Sequence, residues 1–564
     1  MRKIDKYLFL LALPAVAYLV TFTVYPILHN FFLSFEEQDI YGNLHWVGLG
    51  NYEWFKKDPY FPNIVGNTLL YSLATPILDV LLAIPLAVMV KRLGGRWLLL
   101  IMIPAFIPPV TSATAWYLFL NPSFGIGYYL MQWGIIKTNL MASKWTIVLV
   151  NVWWTLPTAV LLIYSGLKSI PKSIEDAAHA DGVAGPRKLF MIDLPLIAPQ
   201  VLTAFVLTML SGLFTFVPIY IGASQAGPRI LDNLVYYAFD KFFSGQPGYA
   251  AALIVVMTAL STVLSMFYVK FLTSRAFVRL PAPSFLPSKE LPKKVHYALL
   301  VALLAFTFIP FFWLVSLSFK SPLELIRIPP SIFPEHPILG NYWNAVVGGL
   351  PFLMTSGAVA VINTLITVLL ASMLSYTMAI HRLGGRKLLA YNLYLNATPT
   401  IIYIIPLYFI LKVLGILNSW WGLILTYPVM TLPYNSWILY NYFTNFPKQM
   451  EDAALMDGMN RFKAFFKVIL PLSRNGLSVA AVYAFLFSWG ALIFPLAFTY
   501  TPYDLGNPLS FRGAQTYSVY ISMLMSPTTR GYGTVSAAGI ISIIPSLTLL
   551  FLVRRNLERF WGSR

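Results

Sequence analysis

Two acidic octapeptides stand out for chemistry in this sequence: EDAAHADG from Glu175 and EDAALMDG from Glu451. Each sets paired acids, Glu175–Asp176 and Glu451–Asp452, before paired alanines, Ala177–Ala178 and Ala453–Ala454. A third acid then precedes a glycine, as Asp181–Gly182 and Asp457–Gly458. Carboxylates in a first helical turn suit the positive end of the helix dipole, and a glycine suits its left-handed stop. Ser173, three residues before Asp176, completes a capping-box pattern and predicts a helix over about 174–181. Such a helix is roughly 12 Å long and too short to be stable alone. The chemistry is recognition rather than turnover: Asp176 and Asp452 are candidates for pairing with basic side chains in a partner's groove, across a flat alanine face. A capped surface helix explains one copy. Two copies at matched positions favour a partner that is itself doubled.

Other chemistries are excluded by what the sequence lacks. There is no cysteine, and the six histidines are scattered without an HExxH or comparable metal spacing. No Gly-Lys dipeptide occurs, so no phosphate-binding loop of the Walker type exists. This chain is expected to bind no cofactor, and any ATP and Mg would sit on another chain. The net charge of +18 is spread in short clusters and forms no tract for nucleic acid.

The elements that must position the octapeptides belong to a membrane protein. The chain is 58% hydrophobic and only 11% charged, with a mean hydropathy of +0.69. Soluble domains carry about 25% charged residues. The natural solvent here is lipid. Apolar runs long enough to cross about 30 Å of hydrocarbon recur about twelve times. They lie near 7–29, 66–90, 98–120, 145–167, 190–222 and 249–274, then near 295–319, 354–380, 388–411, 419–441, 468–499 and 533–553. The first run follows a basic start but no small-residue cleavage site, and reads as a retained helix. With both termini cytoplasmic, most of the 39 basic residues fall inside, as the positive-inside rule asks, and both octapeptides face the cytoplasm.

The two halves are related. KRLGGR at Lys91 returns as HRLGGR at His381, and the TLP at Thr155 returns at Thr431. From Pro171 to Leu196, 12 of 26 positions recur at an offset of 276, so the octapeptides belong to a repeat. Six spans per half make the repeats parallel. The expected organisation is a first repeat over 1–280, a cytoplasmic proline- and charge-rich linker over 281–294 and a second repeat over 295–564. The fold class is all-α.

From Asp176 the first copy continues through Gly182 to Ile192, Leu194 and Pro195; the second runs from Asp452 through Gly458 to Val468, Leu470 and Pro471. This pattern resembles the cytoplasmic EAA coupling loop of binding-protein-dependent ABC importer permeases. VGLGNYEWF at Val47 with NTLLYSL at Asn67 resembles the F-like subunit of maltose-type carbohydrate permeases. FIPFFWLVSLSFKS at Phe308 and PLYFILKVLGILNSWWGLIL at Pro406 resemble the G-like subunit. The chain departs from the pattern in having Asp for Glu in both loops, Val468 for isoleucine and Asn475 opposite Pro199. It also ends ERFWGSR, without the glycine-rich tail of the second subunit.

The resemblance implies two permease subunits fused into the translocation pore of an ATP-driven importer in the cell membrane, not an enzyme. Its implied partners are two copies of an ABC ATPase, an extracytoplasmic solute-binding protein and a carbohydrate of di- or oligosaccharide size. Gly182 and Gly458 would turn the chain, and Pro195 and Pro471 would begin the next spans. In this family the F-like half contacts the sugar through the spans flanking its loop. That carries over to Asn151, Trp154, Thr155 and Thr158 before the loop and Thr208, Ser211 and Thr215 after it. Each group lies on one helical face, although Ser/Thr packing between helices accounts for any of them singly. The alternatives are an importer of a non-sugar solute, a membrane scaffold without positive support, and a gradient-driven secondary transporter. The last needs intramembrane ionisable groups, for which Asp79 is the candidate. The competing reading of Asp79 is a bundle-facing carboxyl satisfied by a hydroxyl or amide.

Overall fold

The structure is a computed structural model. It describes residues 6–39, 41–227, 229–273, 289–384, 388, 391–392, 394–395, 398–526 and 531–560. Most of the expected linker, 281–288, and the end of the chain lie outside the described residues. Of the linker's described end, Lys293 and Lys294 already open the helix Lys293–Ser318.

Among the described residues, eight helices are long and apolar enough to cross a membrane. A ninth span arises if the pair Arg461–Leu472 and Arg474–Gly490, bent by 80°, is counted as one. Two further expected spans, near 98–120 and 419–441, are broken, and proline chemistry explains where; the run near 388–411 lies partly outside the described residues, and its described end holds the apolar helix Thr400–Val413. The run near 98–120 becomes Leu98–Ile101, Ile103–Phe106 and Pro109–Phe119, because Pro104, Pro108 and Pro109 each lack a backbone N–H. The run near 419–441 divides into Trp420–Thr426 and Pro428–Thr444 at Pro428.

Both halves share one packing plan. In the first, Phe61–Leu93, Lys144–Ser169 and Ala198–Leu213 pack mutually; in the second, Gly340–His381, Pro428–Thr444 and Arg474–Gly490 do the same. The halves also exchange their leading helices. Lys6–Leu19 packs on Gly340–His381, and Lys293–Ser318 packs on Pro109–Phe119. Tyr18 Oη donates to the Leu425 carbonyl at 2.7 Å across that seam.

The fold is all-α as expected, with one small non-helical addition. A two-stranded antiparallel hairpin joins Glu36–Gln38 to Leu44–Trp46, with Glu37 opposite His45. Asp39 turns it by accepting the Tyr41 and Asn43 amides at 2.9 and 2.8 Å, a local side-chain bond typical of turns. Beside it lies a repeated corner that the sequence reading missed. Asn51 Nδ2 donates to the carbonyls of Ser34 and Glu36 at 3.0 and 2.8 Å. Asn341 Nδ2 donates to those of Ser318 and Lys320 at the same two distances. Tyr52 and Tyr342 meet the Ser34 and Ser318 hydroxyls at 2.7 and 2.9 Å. The signal was Gly-Asn-Tyr at Gly50 and again at Gly340. Both corners lie at the end of the bundle away from the octapeptides.

Candidate functional site

The octapeptides form the short helices Lys172–Ala180 and Gln449–Met456. Each stops at a left-handed glycine, Gly182 at φ 68° and Gly458 at φ 79°, with the next amide turned back to the Ala178 or Ala454 carbonyl. The chain then repeats element for element. Gly185–Lys188, a π-helical Leu189–Asp193 and Leu194–Leu196 recur as Arg461–Ala464, a π-helical Phe465–Ile469 and Leu470–Leu472. Pro195 and Pro471 therefore sit in short helices before the spans proper, which open at Ala198 and Arg474.

The capping-box expectation fails. Pro171 and Lys448 hold the N-cap positions, and neither helix has a side-chain cap. The first acid of each pair is turned inward instead. Glu175 Oε1 accepts from Lys91 Nζ at 2.5 Å, while Lys91 also donates to the Leu167 carbonyl at the end of the preceding span. Glu451, fully buried, pairs with His381 Nε2 at 3.0 Å and Arg461 Nη1 at 2.6 Å. Lys91 and His381 are the repeated first positions of KRLGGR and HRLGGR, so the two repeated motifs meet in both halves. Burial raises the Glu175 carboxyl, but the Lys91 hydrogen bond and nearby positive charge outweigh it and hold the group below its ordinary value. Burial likewise opposes ionisation of Glu451, and His381, Tyr376 and Arg461 together hold it low.

The second acids, Asp176 and Asp452, are exposed, as are Ala177, Ala453, Asp181 and Asp457. Ala178 and Ala454 are buried, so the exposed alanine face is one residue wide per turn rather than two. Each loop thus presents an acid–alanine edge and is fastened from behind by its neighbouring acid. The loops differ in surroundings. At the first, Arg92 Nη2 meets Glu290 Oε1 at 3.1 Å. A Cβ on Gly185 would stand 2.1 Å from the Lys289 carbonyl oxygen. The described end of the linker is therefore seated on the first loop.

A cavity of about 430 Å³ is lined by residues of both halves. Asn151, Trp154, Ser211 and Thr215 line it from the first half; Thr400, Tyr483 and Phe487 line it from the second. Helix interruptions at Ile107–Pro108, Phe214–Phe216 and Ala491–Leu492, and the 3₁₀ turn that opens at Thr400, all border it. Non-helical backbone at membrane depth is tolerated where it lines such a space. Asn151 Oδ1 accepts from Thr215 Oγ1 at 2.9 Å, while Asn151 Nδ2 and Trp154 Nε1 have no partner. Only four of the seven sequence-selected side chains meet at this cavity. Thr155 Oγ1 lies 2.6 Å from Asp79 Oδ2 and 2.8 Å from the Asn151 carbonyl oxygen. Thr208, which bonds to the Ala204 carbonyl at 3.0 Å, also faces Asp79. Thr158 is half-buried away from the cavity wall. Their types were right for a polar face, but neighbouring helices claim them. Asp79 is fully buried; its Oδ2 accepts the Thr155 hydroxyl, while its Oδ1 has no partner.

In the second half Tyr427 is fully buried with an unpartnered hydroxyl, and Thr431 bonds to Thr367 at 2.9 Å. Tyr483 and Phe487, aromatic wall residues from the second half, lie in the expected span near 468–499 but were not among the selected site residues. Their signal was aromatic residues one helical turn apart beside the Gly490 break.

The model of the family described as binding-protein-dependent transport system inner membrane component matches residues 63–277 and again 364–562. The chain is similar to the diacetylchitobiose uptake permease of Streptomyces coelicolor, 30% identical over 270 residues that cover 47% of this chain and 85% of that protein. It is 31% identical over 251 residues to the sulfoquinovosyl glycerol permease of Agrobacterium fabrum, covering 44% and 84%. It is 30% identical over 272 residues to the trehalose permease of Mycobacterium tuberculosis, covering 47% and 94%.

Proposed function

Since the chain belongs to the family of binding-protein-dependent transport system inner membrane components, we propose that it is the pore of an ATP-driven carbohydrate importer, with two permease subunits fused in one chain. The halves are residues 1–280 and 295–564, joined by 281–294. The observation that carries this reading is the pair of matched loops, each turning one acid outward, Asp176 or Asp452, and anchoring the other, Glu175 or Glu451, to the repeated basic motif.

A short helix fixed at its back to the bundle and free at its front acts as a lever. Force applied at Asp176, Ala177 and Asp181 reaches Phe61–Leu93 through Lys91 and Lys144–Ser169 through Leu167. Force applied at Asp452, Ala453 and Asp457 reaches Gly340–His381 through His381. Two ATPase chains docking on these edges, cytoplasmic with both termini, would close on ATP and move the halves about the cavity between them. That is the two-state element, biased by both ligands, which coupling requires. A solute-binding protein would deliver the sugar at the opposite face. The relatives' names, which concern diacetylchitobiose, trehalose and sulfoquinovosyl glycerol, support a glycoside as cargo.

The test is uptake by the chain in sealed vesicles. The chain alone should take up no sugar under any ion gradient, and uptake should appear when its ATPase, its binding protein and ATP are added. Uptake by the chain alone under a proton or sodium gradient would overturn the reading in favour of a secondary transporter.

A further inference from the structure

Lys91 and Arg92 stand in the last turn of the helix Phe61–Leu93, and the two adjacent cations hold different partners. Lys91 holds Glu175 of the first coupling helix. Arg92 Nη2 holds Glu290 Oε1, in the described end of the linker, at 3.1 Å, and its Nη1 reaches the Leu291 carbonyl at 3.5 Å. Further along the same loop Gly185 stands at φ 56°, where a Cβ would lie 2.1 Å from the Lys289 carbonyl oxygen. The two backbones therefore touch, and only glycine permits both the conformation and the approach. Around these contacts lies a cleft lined by Glu175, His179 and Lys188 of the loop and by Glu290, Leu291 and His296.

The linker's end passes straight into the helix Lys293–Ser318, whose N-cap is Pro292. Buried His296 fastens that start, with its Nδ1 3.2 Å from the Pro292 carbonyl oxygen. The helix belongs to the second half, yet it packs on Pro109–Phe119 of the first as well as on Tyr532–Phe560 of the second. Pro109 and Ser546, one from each of those helices, line the cavity that both halves share.

We propose that Lys289–Pro292 is a clasp, and that Arg92 and Gly185 are positioning residues which make the first coupling loop and the helix Lys293–Ser318 one moving body. A push on the first loop then reaches the second half directly, besides reaching Phe61–Leu93 through Lys91. The proposal rests on the reading of the loops as levers and adds the linker to the path. The Arg92–Glu290 pair is 30% and 59% exposed, and exposed pairs contribute little by themselves. Its part is to set the direction of the linker's end, while the backbone seat at Gly185 supplies the close fit.

The test is pulsed electron spin resonance on the full chain in lipid nanodiscs. The chain has no cysteine, so label pairs can be placed on it without background. Lys172→Cys with Lys294→Cys spans the clasp, and Lys172→Cys with Lys448→Cys spans the two loops; all three positions are exposed. In the chain alone, the pair across the clasp should give one narrow distance. Glu290→Arg should broaden it, because Arg92 then faces a like charge, and adding Arg92→Glu should narrow it again. In the complex with the ATPase that copurifies with the chain, a non-hydrolysable ATP analogue should shift the distance between the loops and leave the distance across the clasp unchanged. A broad distribution across the clasp without the charge reversals overturns the inference. So does Glu290→Arg without effect, or a clasp distance that shifts with nucleotide as far as the loop distance does. A loop distance that ignores nucleotide overturns the lever reading instead, and the chain-alone comparison then decides by itself whether the clasp exists.

Discussion

Glu451 Oε1 lies 2.6 Å from Arg461 Nη1 and 3.0 Å from His381 Nε2, and its side chain is fully buried, whereas Glu175, its counterpart in the first repeat, is 29% exposed beside Lys91. The two anchors are the same device at different depths. Breaking a buried pair from one side costs about 3–5 kcal/mol, and a part-exposed pair about 1 kcal/mol or less. Glu451→Gln should therefore loosen its loop far more than Glu175→Gln does. Amide exchange across residues 449–458 and 172–182 measures this, and equal changes in the two loops would refute the difference in depth.

Both anchors carry a pH signature. Each carboxyl is held below its ordinary value in the folded chain. The stabilisation is thus fully present above the ordinary glutamate value of about 4.3 and fades as pH falls through the lower folded value. Loop protection should be flat from neutral pH to about pH 5 and decline below it, with Glu451→Gln abolishing the decline in the second loop. A decline centred near neutrality would mean that another group governs the anchor.

Gly185 and Gly182 separate conformational strain from contact. Both have positive φ, 56° and 68°, but a Cβ on Gly182 meets nothing within 4 Å, while one on Gly185 would stand 2.1 Å from the Lys289 carbonyl oxygen. Gly182→Ala should cost about 1 kcal/mol, the left-handed penalty alone. Gly185→Ala should cost more and release Lys289–Leu291 from the first loop. Thermal unfolding with protease accessibility at Lys289 checks both, and equal shifts would mean that the contact carries no weight.

The repeat and the outward acids were legible because they are local. An offset of 276 holds from the coupling helix through the π-helical turn, so one copy predicts the other. What was not legible depends on chain brought from afar. Ser173 and Asp176 match a capping pattern, yet Lys91, 84 residues earlier, takes Glu175 inward and leaves Pro171 to start the helix. Thr155 and Thr208 lie on the right helices with the right spacing. No local rule says that Asp79, 76 residues before Thr155, lies between them. The π-helical turns and the Asn51 and Asn341 corners are likewise tertiary devices with faint local signals.

The halves should differ in solute contact. Asn151 belongs to the cavity wall, whereas Tyr427, at the same offset, is buried away from it with its hydroxyl unpartnered. Asn151→Ala should lower transport at equal membrane abundance and leave basal ATP hydrolysis of the assembled complex largely intact. Tyr427→Phe removes a hydroxyl that bonds to nothing and should leave transport unchanged. Equal transport by wild type and Asn151→Ala across substrate concentrations would remove Asn151 from the site.

The central claim is that Asp176 and Asp452 are where the chain receives its driving force. Asp176→Lys and Asp452→Lys, singly and together, keep the anchoring glutamates and alter only exposed positions, so insertion should be normal. The most direct measurement is the amount of ATPase that copurifies with each variant from the membrane. The account predicts a reduction for each single variant and near-complete loss for the double variant, since a like charge facing a basic groove repels rather than merely failing to attract. Wild-type recovery of the ATPase with the double variant would contradict it.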